Sequence, residues 1–150
     1  MIHLGEYLTA SRVLDLRSRT KDAALLELVE SLRSVPDVKD PDVVLQAVME
    51  RERVLSTGIG LGVAVPHAKI PGLPDFVLAY GRSREGIDFG SIDDRPVHHV
   101  VLIVGPQDRQ PRYLQFLASV TLTLKRADLR RDLELAAGVA DLHRILADAR

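Results

Sequence analysis

The chain is organised around residues 51–69, which read RERVLSTGIGLGVAVPHAK. Three glycines occur within five residues of this stretch, at Gly58, Gly60 and Gly62. Glycine costs backbone entropy and supplies no side chain to a core, so this cluster indicates a tight turn or the close approach of a ligand. Arg51 and His67 lie on either side of the glycines. A guanidinium and an imidazole can together hold and accept a phosphoryl group, so the stretch predicts a phosphate site.

Two helices and a short strand are predicted before this stretch. Residues 12–16 alternate between polar and apolar side chains, as a short strand does. Thr20 is a candidate N-cap for a first helix, whose apolar positions are Leu25, Leu28, Val29 and Leu32. Asp40 and Pro41 predict the start of a second helix that runs to about Glu52 and places Arg51 in its last turn. The predicted buried face of this helix consists of Val43, Val44, Ala47 and Val48.

After residue 69 the pattern predicts two buried strands followed by three helices. Residues 76–80 and 97–104 are apolar runs bounded by glycine and proline, so both strands need cover on two faces. Pro111 opens a helix that is apolar nearly all round and is therefore expected to lie between the sheet and another layer. Asp128 is expected to cap a helix to Ala137, ended by Gly138 and followed by a helix over residues 139–149. This order of elements predicts an α/β domain with a mostly parallel sheet.

Composition bounds the class of protein. The chain has 150 residues, 46% apolar and 27% charged, which predicts one ordinary globular domain over residues 1–150. Its net charge of −1 gives no reason to expect nucleic acid or an anionic membrane as a partner. No apolar run approaches the roughly 20 residues that cross a bilayer, and the first residues do not resemble a secretion signal. We therefore expect a cytoplasmic protein with no direct membrane insertion.

The remaining side chains do not suggest a metal or a cofactor. Cysteine is absent, which excludes disulfides and thiolate ligands. His98 and His99 are adjacent on a predicted strand, so they point to opposite faces and cannot share a metal. One of them is expected to be exposed and the other to contact the core. No helical pair of histidines has the spacing of a zinc site.

The ordered motif resembles that of a known family. Arg51 and Glu52, then residues 56–60 (STGIG) and 64–67 (AVPH), are similar to the signature of the fructose/mannitol/nitrogen class of enzyme IIA domains of the bacterial phosphotransferase system. The similarity extends from Thr20 to about Leu146, and residues 71–73 (PGL) favour the nitrogen-regulatory branch. The resemblance implies a mixed, mostly parallel sheet flanked by helices on both faces. It also implies that the protein receives phosphate on a histidine from an HPr-type protein and needs no cofactor.

The chemistry of the residues agrees with the resemblance. A neutral imidazole is available near pH 7, which makes His67 the candidate nucleophile. Arg51 would bind the phosphoryl oxygens as a planar fork of donors, and the backbone and hydroxyl groups from Thr57 to Gly60, Gly58 among them, are candidate phosphate ligands. Simpler interpretations remain for two of these residues. His67 could be a half-buried histidine bound to a carbonyl. Arg51 could have no role other than to stabilise the end of a helix.

The chain departs from the family at one position. Many members resemble one another in a second histidine at the start of the helix after the last long strand, where this sequence has Tyr113. A phenol can donate a hydrogen bond to phosphate but carries no positive charge at neutral pH. Tyr113 is thus a candidate phosphate ligand, and equally it is a candidate first core residue of an apolar helix.

Three functions remain open from the sequence. The resemblance favours a regulatory phosphohistidine carrier, because the second histidine and any attached enzyme IIB-like or membrane segment are missing from this sequence. A sugar-specific enzyme IIA that passes phosphate to an enzyme IIB is the first alternative. A binding module of the same fold that regulates target proteins without phosphate is the second.

Overall fold

The predicted architecture is present as one mixed sheet with helices on both faces. A computed structural model describes residues 2–149 of the chain. In that range the strands and helices, in chain order, are β1 (Val13–Asp15), α1 (Lys21–Glu30), α2 (Pro41–Val54), β2 (Gly58–Gly60), β3 (Val63–Ala64), β4 (His67–Ile70), β5 (Val77–Ile87), β6 (Val97–Pro106), α3 (Gln110–Leu124), α4 (Ala127–Leu135) and α5 (Val139–Asp148). Single 3-10 turns occur at Leu4–Glu6, Ala10–Arg12 and Ser31–Ser34.

The sheet has the strand order β1-β5-β6-β3-β2, and β4 also pairs with β6. Its parallel pairs are β1 with β5, β3 with β6 and β4 with β6, while β2–β3 and β5–β6 are antiparallel. Val63 is opposite His99 and His67 is opposite Ile103, so β3 and β4 follow one another along the same side of β6. The prediction of a mixed, mostly parallel sheet is confirmed.

Each face of the sheet carries its own core. Val77 and Ala79 pack with α1 and α2 on one face, whereas Leu78 and Tyr80 pack with α3, α4 and α5 on the other. The alternation of side chains along a strand makes this division, and burial on both faces explains why the two long strands are apolar without interruption. The predicted cover on both faces is therefore present.

The first two helices begin where the sequence predicts. The Thr20 hydroxyl accepts a hydrogen bond from the Ala23 N–H (3.3 Å), and the Asp40 carboxylate accepts one from the Asp42 N–H (3.0 Å). Both caps satisfy donors that a helix leaves free at its start. Helix α2 continues to Val54, two residues beyond the predicted end, and Arg51 lies in its last turn as expected.

Two details of α2 and β5 were predicted wrongly. Val43 is 46% exposed, so the buried face of α2 is narrower than expected and centres on Val44 and Val48. Strand β5, predicted to end at Tyr80 before Gly81, continues to Ile87, with Gly81 paired to Val100. A Cβ on Gly81 would lie 2.8 Å from the Leu16 side chain, so this glycine allows close packing inside the strand and does not mark a turn.

The second half also differs from the prediction. Leu114 and Leu122 of α3 are each 55% exposed, so this helix covers the sheet with one face and is not enclosed between two layers. Asp128 does not cap α4, because the helix starts at Ala127 and the Asp128 carboxylate pairs with Arg126 instead. Gly138 precedes α5 as its N-cap and does not end α4. Within residues 2–149 no helix combines the length and apolar character that a membrane crossing requires.

Candidate functional site

A pocket lies at the edge of the sheet, between α2, β4 and the first turns of α3. In the described residues β4 pairs only with β6, so its other side is free, and helices from opposite faces of the sheet meet there. The pocket has a volume of about 370 Å³. It is lined by Ala47, Arg51, His67, Ala68, Lys69, Gln110, Tyr113 and Leu117.

His67 begins β4 and is half-buried in this pocket. Its Nδ1 lies 2.8 Å from the carbonyl oxygen of Val65. A carbonyl can only accept a hydrogen bond, so Nδ1 carries the proton and donates it, and Nε2 of the neutral ring keeps its lone pair. The same contact therefore fits the structural interpretation of His67 and also leaves the lone pair of Nε2 free.

The surroundings of His67 favour its neutral form. Burial lowers its pKa most, the Val65 carbonyl raises it, and the positive charges of Arg51 and Lys69 lower it further. The net pKa lies below the ordinary value for histidine. Since protonation at Nε2 would remove the lone pair, this shift keeps the ring reactive near pH 7.

Arg51 reaches the pocket from the last turn of α2. Its Nη1 donates a hydrogen bond to the carbonyl of Leu55 (2.9 Å), the residue that ends the helix. This contact is the one expected of an arginine that stabilises a helix C-terminus. It uses one of five guanidinium N–H groups, which leaves others for an anion in the pocket.

Tyr113 lies in the first turn of α3 and faces His67. The two ring centroids are 5.8 Å apart, and the Tyr113 ring also meets Phe76 at 5.7 Å. The hydroxyl is buried and has no hydrogen-bond partner among the described residues. Burial raises the pKa of this phenol, so it stays protonated and can act as a donor. Tyr113 thus belongs to the core and to the pocket at the same time.

Thr57 and Gly58 lie outside the pocket lining, which revises their predicted role. The buried Thr57 donates to the Glu52 carboxylate through its hydroxyl (2.6 Å) and its N–H (3.0 Å). The N–H of Gly58 donates to the Ser56 hydroxyl (3.1 Å), and a Cβ on Gly58 would lie 2.1 Å from the Ser91 hydroxyl oxygen. These groups are used within the protein, so they hold the loop against the end of α2 instead of facing the pocket.

Sequence reasoning missed two polar residues of the pocket, Lys69 and Gln110. Lys69 follows His67 by two positions on β4, so both side chains leave the same face of the strand. That spacing was visible in the sequence once a strand had been assigned there. Gln110 was not recognisable, since only the fold brings the start of α3 to β4.

The polar side chains of this pocket are not those of a typical metal site. Within residues 2–149 no three His, Cys, Asp or Glu side chains come together as possible ligands. The polar groups of the pocket are instead two cations, an imidazole, an amide and a phenol. Such a set suits an anion that is attacked by a neutral nitrogen.

The fold and the pocket define an α/β domain with a neutral histidine placed beside cations. The chain belongs to the family described as phosphoenolpyruvate-dependent sugar phosphotransferase system, EIIA 2, whose model matches residues 7–149. This description agrees with the resemblance found in the sequence.

Relatives carry two kinds of name. A fructose-specific EIIA component of Haloferax volcanii is 33% identical over 86% of this chain and 84% of its own length. A nitrogen regulatory protein of Pseudomonas aeruginosa is 28% identical over 100% of this chain and 98% of its own length. The chain is also 33% identical, over 87% of its length, to a fructose-specific EIIABC component of Bacillus subtilis, of which it spans only 21%.

Solved structures show the same fold. The nitrogen regulatory protein IIA-Ntr of Neisseria meningitidis superposes with a TM-score of 0.86 at 26% identity, covering 95% of this chain and 98% of that one. Enzyme IIA for mannitol of Escherichia coli, in a complex with its phosphorylated enzyme IIB, gives a TM-score of 0.77 at 24% identity, covering 93% and 96%. The fold of this chain therefore occurs in a protein that binds an enzyme IIB.

Proposed function

We propose that this chain is a cytoplasmic, single-domain phosphohistidine carrier of a bacterial phosphotransferase system, which accepts phosphate on His67 from an HPr-type protein. The observation that carries the proposal is the state of the His67 ring. Its Nδ1 donates to the Val65 carbonyl, its Nε2 is unprotonated, and the pocket that it lines also contains Arg51. A neutral nucleophile and a cation for the transferred group are the two requirements of such a step.

The transfer follows from this geometry. Nε2 of His67 attacks the phosphorus atom of the donor's phosphohistidine, and an N–P bond forms as the donor's N–P bond breaks. The electron pair of the broken bond returns to the donor nitrogen. His67 becomes positively charged at its ring while Nδ1 keeps its proton, so the hydrogen bond to Val65 becomes charge-assisted and stronger.

The other candidate residues have separate parts. Arg51 would bind phosphoryl oxygens, where negative charge is held in the transition state. The Tyr113 hydroxyl would donate a hydrogen bond to one of them, which would give this buried group a partner. Thr57 and Gly58 would act indirectly, by fixing the loop and Glu52 beside Arg51.

We favour a regulatory carrier of the nitrogen type. The nitrogen regulatory relative from Pseudomonas aeruginosa matches nearly end to end, and the structure from Neisseria meningitidis superposes over almost the whole chain. The second candidate is a sugar-specific enzyme IIA that hands phosphate to an enzyme IIB, which the fructose-specific relative of Haloferax volcanii supports. Transfer from the phosphorylated protein to a purified enzyme IIB would favour the second candidate over the first.

The test is incubation with phosphoenolpyruvate, enzyme I and an HPr-type protein, followed by intact mass. We expect one acid-labile phosphate, present in the wild-type protein and in the matched variant His143→Ala and absent from His67→Ala. His143 is half-buried and bonds to the Leu8 carbonyl, away from the pocket lining. Phosphate on folded His67→Ala would refute the assignment. An unmodified wild-type protein would favour the binding module that acts without phosphate.

A further inference from the structure

Lys69 places a second cation in the His67 pocket, outside the sequence motif. Its ammonium lies 5.6 Å from the centroid of the Tyr113 ring and donates a hydrogen bond to the Gln110 side-chain oxygen. In the described part of the chain no carboxylate forms an ion pair with it, and its only polar partner there is this neutral amide. Among residues 2–149 this ammonium therefore has no counter-ion, and it lies in the same pocket as the histidine that is proposed to receive phosphate.

We propose that Lys69 binds the phosphoryl group on His67, and that Gln110 holds the ammonium while the histidine is unmodified. This inference rests on the proposed function and adds a residue to its site. Arg51 reaches the pocket from α2, whereas Lys69 reaches it from β4, so the two cations come from different elements. A phosphoryl group between them would be bound from two directions.

The hydrogen-bond partners of the two cations suggest different roles. Arg51 is tied to the Leu55 carbonyl at the end of its helix, which fixes its planar fork. Lys69 has a flexible stem and gives up only a bond to a neutral amide when it turns to an anion. The exchange replaces a neutral acceptor with an anionic one, so the ammonium gains a charge–charge attraction that the amide does not supply.

Lys69 takes no covalent part in the step. The N–P bond forms at Nε2 of His67 and breaks at the donor nitrogen, which keeps the electron pair. Lys69 changes only its hydrogen-bond partner, from Gln110 to a phosphoryl oxygen. Its charge offsets the negative charge that arrives with the group.

The first test uses inorganic phosphate as a probe, so that it does not depend on any partner protein. The ring signals of His67 are followed by NMR during titration of the wild-type protein, of Lys69→Gln and of Lys125→Gln. Lys125 is exposed at the far end of α3 and gives the same change of charge away from the pocket. We expect Lys69→Gln to bind phosphate about tenfold more weakly and Lys125→Gln to match the wild type. Equal affinity in all three proteins, or no phosphate binding near His67 in the wild type, would overturn the proposal.

The second test measures the rate of phosphorylation by the HPr-type donor. Lys69→Gln should be slower than wild type by a similar factor, Lys69→Arg should recover most of the rate, and Lys125→Gln should be unaffected. A Lys69→Arg protein as slow as Lys69→Gln would show that the positive charge at this position does not increase the rate. If no protein in the series accepts phosphate, the proposed function fails, and the phosphate titration still decides the role of Lys69 separately.

Discussion

Two histidines on paired strands both have a lowered pKa but differ in how accessible their rings are. His67 begins β4 and His99 lies on β6, and burial is the main cause that lowers the pKa of each ring, to about 4 for His99. His67 lines an open pocket that it shares with Arg51, whereas the His99 side chain is only 1% exposed. A lowered pKa alone therefore does not mark a reactive histidine. Access to a pocket separates the two, since arginine charges lower the pKa of both rings.

The surroundings of His99 are those of a structural group. Its Nδ1 lies 2.9 Å from the hydroxyl of Tyr80, which is fully buried on β5. Its Nε2 has no hydrogen-bond partner among the described residues, and the nearest carboxylate oxygen, on Glu134, is 4.0 Å away. A proton on this ring would be a poorly compensated buried charge, so the ring remains neutral.

The largest expected effect separates the two histidines directly. His67→Gln should accept no phosphate from the HPr-type donor, because the lone pair of an amide nitrogen is delocalised into the carbonyl and is not available for attack. His99→Gln should accept one phosphate at a rate close to wild type. Intact mass of both folded variants provides the measurement. Phosphorylation lost in His99→Gln and retained in His67→Gln would reverse the comparison.

Next in size is the effect of changing the cation beside His67. Arg51→Lys keeps the charge but loses the planar fork, so the barrier to transfer should rise by about 2–4 kcal/mol, as for loss of one fixed donor. The rate of phosphorylation by the HPr-type donor measures this. Arg53→Lys is the matched control, since Arg53 is exposed in the same last turn of α2. An unchanged rate with a lowered melting temperature would assign Arg51 to the helix end alone.

The sequence was sufficient for most of the architecture, because the patterns concerned were local. Thr20 and Asp40 were recognised as caps from their own neighbours, and the two long strands from continuous apolar runs. Gly81 was misjudged because its role depends on Leu16, which is distant in the sequence and packs over it. Tertiary contacts of this kind leave no mark on local composition.

The candidate site shows the same limit. Arg51 and His67 were predicted from a motif, and the fold brings both to one pocket. Thr57 was predicted to face phosphate, but its hydroxyl donates to Glu52, a partner that spacing alone did not reveal. Of the histidine pair, His99 is buried against the core, as predicted for one of the two, whereas His98 is half-buried and not exposed, and it bonds to the Ser83 carbonyl. Motifs select residue types, whereas packing decides which of their atoms remain free.

The third prediction concerns stability in acid and belongs to His99. Its pKa is about 4 in the folded chain and 6.5 ordinarily, so between these values the unfolded chain binds the proton more readily. The contribution of this neutral ring to the free energy of unfolding is therefore fully present above pH 6.5. It decreases by about 3 kcal/mol as the pH falls towards 4, at about 1.4 kcal/mol per pKa unit. Urea unfolding at a series of pH values measures the loss.

The control for this prediction removes the ionisation but keeps a hydrogen-bonding side chain. His99→Gln can still pair with the Tyr80 hydroxyl, and it should lose clearly less stability than wild type between pH 6.5 and pH 4. Carboxylates contribute equally to both proteins, so the difference isolates this ring. Identical pH dependence in the two proteins would mean that His99 is protonated in the fold without cost.

The smallest expected effect is at Tyr113, whose hydroxyl is buried without a partner among the described residues. If it donates to the phosphoryl group, Tyr113→Phe should slow transfer about fivefold, the value of one net hydrogen bond of about 1 kcal/mol. As the pH decreases, the rate should fall through a single ionisation, that of His67. The lowered pKa of this ring keeps it unprotonated and reactive to below pH 6.5. Tyr113→His should add a second ionisation to the rate profile. An unchanged rate for Tyr113→Phe at every pH, with a lower melting temperature for Tyr113→Ala, would assign the ring to its contacts with Phe76 and the core.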